Sequence, residues 1–279
     1  MRLFKEVLED DLFSNVFTLL REEILFFSMM HKEGSNTLSY KLDSENPGEV
    51  PRLIAIQANI QNGIKPIYRH PSNNQPETVQ FTPFVRIIKD EIEEITEQKF
   101  NHCLIQLYRN GNDYISEHSD KTLDIKKDSI IVNYSVGALR RMILKNKSTK
   151  EKIIYDLPHN SLFVLSWDDN KHFTHTIKQD KRTNDLKSEE ELAYNNERIS
   201  LTFRNIDTFE LPDGRIFGQG SRYKSIQELP SLEKYNNLLK YSITYENRKL
   251  LESFNNENKD HDFDWDENYK YGFLIKEIL

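Results

Sequence analysis

The sequence predicts an α+β chain whose core is mainly β, a sandwich or jelly roll with helices before it and an extension after it. Three observations predict this. Apolar residues recur at helical spacing over residues 10–30 and again over 83–97. Between residues 103 and 204 the period changes to two. Six short runs there (103–109, 129–136, 141–144, 161–167, Phe173–Ile177 and Arg198–Arg204) are rich in β-branched and aromatic residues and bounded by turn residues. Beyond Asp207 the character changes again: Gly214, Gly218 and Gly220 crowd together in a chain with only 9 glycines.

In chain order, Val16, Leu20, Ile24 and Phe27 form one apolar stripe, with Asp10 and Asp11 where acids suit a helix start. Residues 34–48 read as a polar loop. Residues 51–60 are apolar and β-branched, punctuated by Gly63 and Pro66, and 71–76 is a second loop. Thr82-Pro83 opens a helix with an N-cap residue and a proline at the first helical position. Phe84, Ile87, Ile88, Ile92 and Ile95 supply its apolar face. A charged segment, 179–197, interrupts the strands and holds a helical turn at 189–194. Residues 231–241 predict a short helix. Phe263, Trp265, Tyr269 and Tyr271, set among acids, read as a strap on the core. The organisation expected is a helical segment at 1–50, a supporting region at 51–100, the β core at 101–207, and an extension at 208–279 packed on it.

Composition limits the function. With 38 Lys and Arg against 45 Asp and Glu, the net charge is −7, which argues against a protein that coats duplex phosphates. At 279 residues the chain can bury a sizeable core, and 11% aromatic content is too high for disorder. The lone Cys103 excludes an internal disulfide framework and a multi-cysteine zinc site, and suits a reducing compartment. Residues 1–12 are charged throughout, unlike a signal peptide, and 19–30 is broken by Arg21, Glu22 and Glu23, so no membrane span is expected. The expectation is an intracellular monomer, in nucleus or cytoplasm.

The informative segment runs from Asp113 to Asp120. His118 and Asp120 lie two apart, so on extended backbone both side chains point the same way. His175 follows within Phe173–Ile177. Two histidines and one carboxylate make the facial triad of non-haem Fe(II) oxygenases, which leaves positions open for other ligands. Arg198, Ser200, Thr202 and Arg204 share one face of their strand, and Ile199, Leu201 and Phe203 the other. Two arginines on one face suit a dicarboxylate. Leu104, Gln106 and Tyr108 alternate in the same way with Cys103, Ile105 and Leu107, so Gln106 and Tyr108 can enter one cavity.

Together, Leu107-Tyr-Arg-Asn-Gly111, His118-Ser-Asp120, His175 and Arg198-x-Ser-x-Thr-Phe-Arg204 resemble the AlkB family of Fe(II)/2-oxoglutarate dioxygenases. The resemblance covers roughly residues 51–207. The stretches 118–125, 158–161 and 216–220 look most like fungal members of unassigned substrate. It implies a double-stranded β-helix (jelly roll) core, Fe(II) held by His118, Asp120 and His175, 2-oxoglutarate as cosubstrate, and O2. Tyr108 and Arg198, helped by Ser200, would take the distal carboxylate, and Arg204 would sit near the metal-chelating end or the substrate. Gln106 and Ser200 stand where some members have Asn, which puts one cosubstrate hydrogen bond in question.

The activity this implies is oxidative demethylation of N-alkylated nucleobases in nucleic acid, with formaldehyde, succinate and CO2 as products and DNA repair as a setting. Such enzymes place a nucleotide-recognition lid before the core, where Tyr68, Arg69 and His70 could stack on or bond to a base. The run 138–152, with Arg140 and Arg141, offers a second basic contact to nucleic acid, or else a solvated hairpin. Single-stranded substrate is preferred on charge grounds. Two rivals stand: the same oxidation on a protein side chain or small molecule, and an inactive binding protein on the same fold.

Overall fold

The computed structural model describes residues 1–8, 15–29, 50–71 and 75–276. The expected helix start at Asp10 and Asp11, the loop 34–48 and part of 71–76 lie outside the described residues. In chain order the elements are β1 (Arg2–Lys5), α1 (Val16–Glu23), β2 (Leu53–Ala58), β3 (Lys65–Pro66), β4 (Thr78–Gln80), α2 (Pro83–Thr96), β5 (His102–Tyr108) and β6 (Ile115–His118). There follow β7 (Ile131–Gly137), β8 (Arg140–Asn146), β9 (Lys152–Leu157), β10 (Ser161–Leu165), α3 (Trp167–His172), β11 (Phe173–Ile177), α4 (Glu189–Leu192), β12 (Arg198–Arg204), β13 (Thr208–Glu210), β14 (Ile216–Gly218), α5 (Leu232–Lys259) and α6 (Trp265–Tyr269).

Two sheets build the core. The larger is ordered β1-β10-β7-β12-β5-β2-β4 and the smaller β6-β11-β8-β9, while β14-β13-β3 forms a separate small sheet. The alternation read from the sequence decides which face goes where. Cys103, Ile105, Leu107, Ile199, Leu201 and Phe203 pack outward against Val16, Phe17 and Leu20 of α1 and Val85, Ile88 and Ile92 of α2. On the opposite face Tyr108 and Phe163 of the large sheet meet Met142, Leu144 and Ile177 of the small one. This is the expected jelly-roll core, with both helices behind one sheet and the space between the sheets left for a site.

Several boundaries moved, each for a local reason. The first helix ends at Glu23, because Ile24 is extended and Phe27 exchanges both backbone hydrogen bonds with Ile54 at 2.8 Å. Thr82 is the N-cap of α2 as expected, but its hydroxyl donates to Gln57 Oε1, and the Glu23 carboxylate accepts from Phe84 N–H instead. The run 161–167 stops at Leu165 because Ser166 caps α3 in a reciprocal capping box with Asp169. The helix expected at 231–241 runs for 28 residues to Lys259. Its buried stripe includes Glu246 and Glu257 beside Leu250 and Phe254, so apolar periodicity understates its length. Phe263 and Tyr269 do pack as a strap with Leu250, Phe254 and Leu123, whereas Tyr271 stays exposed.

Candidate active site

The cavity between the sheets has a volume of about 240 Å³. Register explains its walls. Antiparallel pairing of β12 with β5 sets Arg198 opposite Tyr108, Ser200 opposite Gln106, Thr202 opposite Leu104 and Arg204 opposite His102. Two inward faces thus lie side by side. Across the gap, β6 pairs with β11 so that His118 is opposite His175, with ring centroids 4.3 Å apart. Asp120 lies two residues beyond the end of β6. One ligand atom from each of His118, Asp120 and His175 lies within 4.8 Å of the others, an arrangement that could hold a metal ion.

His118 and Asp120 are fixed from behind, whereas the buried His175 Nδ1 has no hydrogen-bond partner. His118 Nδ1 sits 2.7 Å from Ser116 O, which leaves Nε2 to face Asp120 Oδ1 at 3.9 Å. Asn170, on α3, clamps the Asp120 backbone twice: it accepts from Asp120 N–H and donates to Asp120 O, both at 2.9 Å. Arg204 donates to Asp120 Oδ2 from Nε at 3.1 Å and Nη2 at 2.8 Å, so Oδ1 remains for another partner. Burial alone would raise the Asp120 carboxyl, but the Arg204 guanidinium overrides it and holds the acid well below the usual range. Burial lowers both His118 and His175, and Arg204 adds to the effect on His175. The resting site therefore holds one carboxylate and two neutral imidazoles, the forms that bind metal.

Arg198 is fully buried. Its Nη2 donates to Ser135 Oγ at 2.7 Å and Asn133 Oδ1 at 3.1 Å, while Nε and Nη1 have no protein acceptor. Burial, with the repulsion of Arg140, lowers it to about 10, still charged at neutral pH. Arg204 Nη1 is likewise buried and without an acceptor. Buried cationic donors without partners are costly, and a dicarboxylate would supply the missing acceptors. The donor set of the trio and these orphaned N–H groups therefore fit an Fe(II) ion and 2-oxoglutarate. Gln106 and Tyr108 line the same cavity, with Tyr108 OH donating to Gln106 Oε1 at 3.1 Å. Ser200 also lines it and accepts from Asn133 Nδ2 at 2.6 Å.

The substrate-side expectations need correction. Arg69 is buried: its Nη2 bonds Asp124 at 2.5 Å, and the guanidinium also donates to the carbonyls of Ile275 and Gly220 at 2.8 Å. It ties the core to the extension and offers nothing to a base. Arg140 is buried too, donating to the carbonyls of Asn110, Asp113 and Lys178 at 2.8–3.1 Å. Arg141 is exposed but paired with Asp156 at 2.9 Å. Tyr68 lines the cavity, with Arg204 4.3 Å over its ring and its hydroxyl accepting from Lys121 N–H. His70 does line the cavity, held neutral to about 4 by burial and the charge of Arg204. The residues that sequence reasoning missed are Asn133, Asn170 and Asn258. Asn133 was findable, since it and Ser135 are the polar inward positions of β7; Asn170 and Asn258 sit on helices, where no spacing rule points at the site.

Jelly-roll topology with a His-x-Asp···His trio and two inward arginines defines a non-haem iron oxygenase type of site. The family described as the 2OG-Fe(II) oxygenase superfamily matches residues 1–204, and the chain belongs to it. Its sequence similarity is to AlkB-type members. "DNA oxidative demethylase ALKBH2" of Mus musculus is 31% identical over 134 residues, which is 45% of this chain and 52% of that protein. "Uncharacterized protein R406" of Acanthamoeba polyphaga mimivirus is 30% identical over 135 residues, 48% of this chain and 65% of that one. "Alpha-ketoglutarate-dependent dioxygenase alkB homolog 3" of Homo sapiens is 26% identical over 133 residues, 44% of this chain and 43% of that one. The chain thus spans about half the length of the curated relatives it matches. Among the described residues no helix is long and apolar enough to cross a membrane.

Proposed function

We propose that the chain is an Fe(II)- and 2-oxoglutarate-dependent dioxygenase that oxidatively demethylates N-alkylated nucleobases in nucleic acid. The carrying observation is that His118, Asp120 and His175 converge on the wall of a cavity backed by buried arginine N–H groups that lack acceptors. In this reading His118, Asp120 and His175 hold the iron, and Arg198 and Tyr108 take the distal carboxylate of 2-oxoglutarate. When bound, the iron, 2-oxoglutarate and O2 together supply the oxidising power that hydroxylates a C–H bond, with succinate and CO2 as coproducts.

The chain's own residues orient and shield. Arg204 keeps Asp120 ionised and turned so that one oxygen faces the histidines. Gln106, bonded to the Tyr108 hydroxyl, fixes the tyrosine that faces the cosubstrate. Met142, Phe163, Leu165 and Ile177 make the surrounding wall apolar, which excludes water and strengthens charge–dipole interactions inside. A hydroxylated N-methyl group would then break down to formaldehyde and the bare base without further help.

Single-stranded substrate fits best. The one dense basic run of the sequence is largely consumed inside the protein: Arg140 and Lys147 are buried, Lys145 pairs with Glu117 and Arg141 with Asp156. On a chain of net charge −7 little remains to grip both strands of a duplex, and extruding a base from a duplex costs about a few kcal/mol.

The test is a panel of methylated oligonucleotides, single- and double-stranded, incubated with the protein, Fe(II) and 2-oxoglutarate and followed by mass spectrometry. Methyl loss with formaldehyde release is expected. Turnover of 2-oxoglutarate without methyl loss on any member would move the substrate to a protein side chain or small molecule. No turnover at all would leave a binding protein.

A further inference from the structure

One residue that lines the cavity, Asn258, lies beyond the stretch that matches the superfamily. α5 ends beside the His118–Asp120 segment, and Asn258, in its last turn, lines the cavity. That turn is pinned by side chains from the core. The Glu257 carboxylate accepts from Thr122 N–H at 2.9 Å, from the Thr122 hydroxyl and from the Tyr269 hydroxyl at 2.7 Å. The Glu257 carbonyl accepts from Lys147 Nζ at 2.5 Å and Ser119 Oγ at 3.2 Å. Glu257, Ser119 and Thr122 are all buried.

Asn258 is held by the same segment. Its Oδ1 accepts from Ser119 N–H at 3.0 Å, from Ser119 Oγ at 3.2 Å and from the Lys121 ammonium. A backbone N–H and an ammonium can only donate, so the oxygen must face them and the amide cannot be reversed. The two N–H groups of Nδ2 are the part of the side chain left over, on a residue that lines the cavity. Their position is set by the three donors that hold Oδ1 and by the contacts that pin Glu257.

We propose that Asn258 is a specificity-determining residue whose Nδ2 donates to a lone-pair acceptor of the substrate, such as a ring carbonyl on the edge of the target base. The proposal rests on the demethylase reading. A fixed donor favours an edge that carries an acceptor and opposes one that presents N–H groups, since donor would then meet donor in a partly buried place. No rearrangement is needed on binding, so the preference is built into the free protein.

The test is Asn258→Asp. One carboxylate oxygen keeps the contacts to Ser119 and Lys121, while the other turns the proposed donor into an acceptor. The full chain, loaded with Mn(II) and 2-oxoglutarate to prevent turnover, is titrated with two methylated single strands. One carries a methylated pyrimidine with a carbonyl on its pairing edge, the other a methylated aminopurine with none. Mn(II) and 2-oxoglutarate affinities are measured in parallel. We expect the variant to lose about tenfold in affinity for the pyrimidine strand, the scale of one polar contact made adverse. The purine strand, relieved of a donor facing its N–H groups, should bind at least as tightly as to the wild type, and the metal and the cosubstrate should stay within about twofold, below the scale of one hydrogen bond. Equal loss on both strands, or loss on neither, overturns the assignment. Loss of Mn(II) affinity overturns it in favour of a positioning role for the ligand loop. If the wild-type protein binds neither strand, the demethylase reading falls and this inference with it. If it binds both and only the ratio is unmoved, the reading stands without Asn258.

Discussion

At the residue scale, the arrangement separates ligands from the groups that hold them. In the proposed reading, His118→Ala or Asp120→Ala removes one of three protein ligands. Either variant should lose turnover at saturating Fe(II) and bind Co(II) at least about tenfold more weakly, in line with the loss of a metal ligand. Its far-ultraviolet circular dichroism should match the wild type. Full succinate production by either would remove the residue from the site. Arg198→Lys keeps a positive charge but loses the planar fork, and its buried surroundings offer a compact ammonium no replacement geometry. The apparent KM for 2-oxoglutarate should rise about tenfold or more, the scale of a lost charge-assisted hydrogen bond, with a smaller effect on kcat. An unchanged KM would hand the distal carboxylate to Arg204.

At the element scale, the extension is welded to the core through buried charge. Arg69 follows β3 and meets Asp124, in the loop after Asp120, while its other donors reach Gly220 and Ile275. Gly220 is required here by close approach, because a Cβ at that position would collide with the side chains of Asp124 and Arg69. Replacing Arg69 by Met strands a fully buried Asp124 carboxylate, and breaking such a pair costs about 3–5 kcal/mol. Urea denaturation should show a lower midpoint, with the unfolding free energy reduced by that amount. A loss below about 1 kcal/mol would place the pair among those whose attraction merely balances desolvation. The same substitution separates two ideas about Arg69: a base-contacting residue would leave the midpoint where it was.

At the scale of the whole molecule, charge and protonation set the working conditions. His102 is buried in β5, and burial together with Arg204 lowers it from 6.5 to about 3. The unfolded chain therefore takes up a proton below pH 6.5 that the folded chain refuses, and stability falls as pH falls toward that depressed value. The loss is about 1.4 kcal/mol per pH unit for such a group. Between pH 6.5 and 5 the wild type should lose about 2 kcal/mol more than His102→Phe; equal slopes would show that His102 is protonated in the folded state. Net charge gives a second expectation. Methylated single strands should bind more tightly than the same sequence as duplex, with a shallow salt dependence. A steep salt slope with tighter duplex binding, abolished by neutralising Arg141 and Lys152, would contradict the charge argument.

Local chemistry alone determined a good deal. Strict alternation in Arg198–Arg204 and in Cys103 to Tyr108 assigned every inward and outward residue of the two central strands, because a strand's side chains have a period of two and a buried sheet cannot slip by one. The His-x-Asp pair, His175 and the two arginines were legible for the same reason: their spacing maps directly onto strand geometry. What the sequence could not decide is which polar residues stay free once the chain folds. Arg69, Arg140 and Tyr68 have the composition of ligand contacts, yet tertiary packing gives each a buried partner, since an unpaired charge in the interior is too costly to leave available. Conversely Asn258 lies far along the chain from the motif whose cavity it lines. Only the folding of α5 against the His118–Asp120 loop brings it to the cavity wall, because that contact depends on the path of the whole chain and on no local pattern within it.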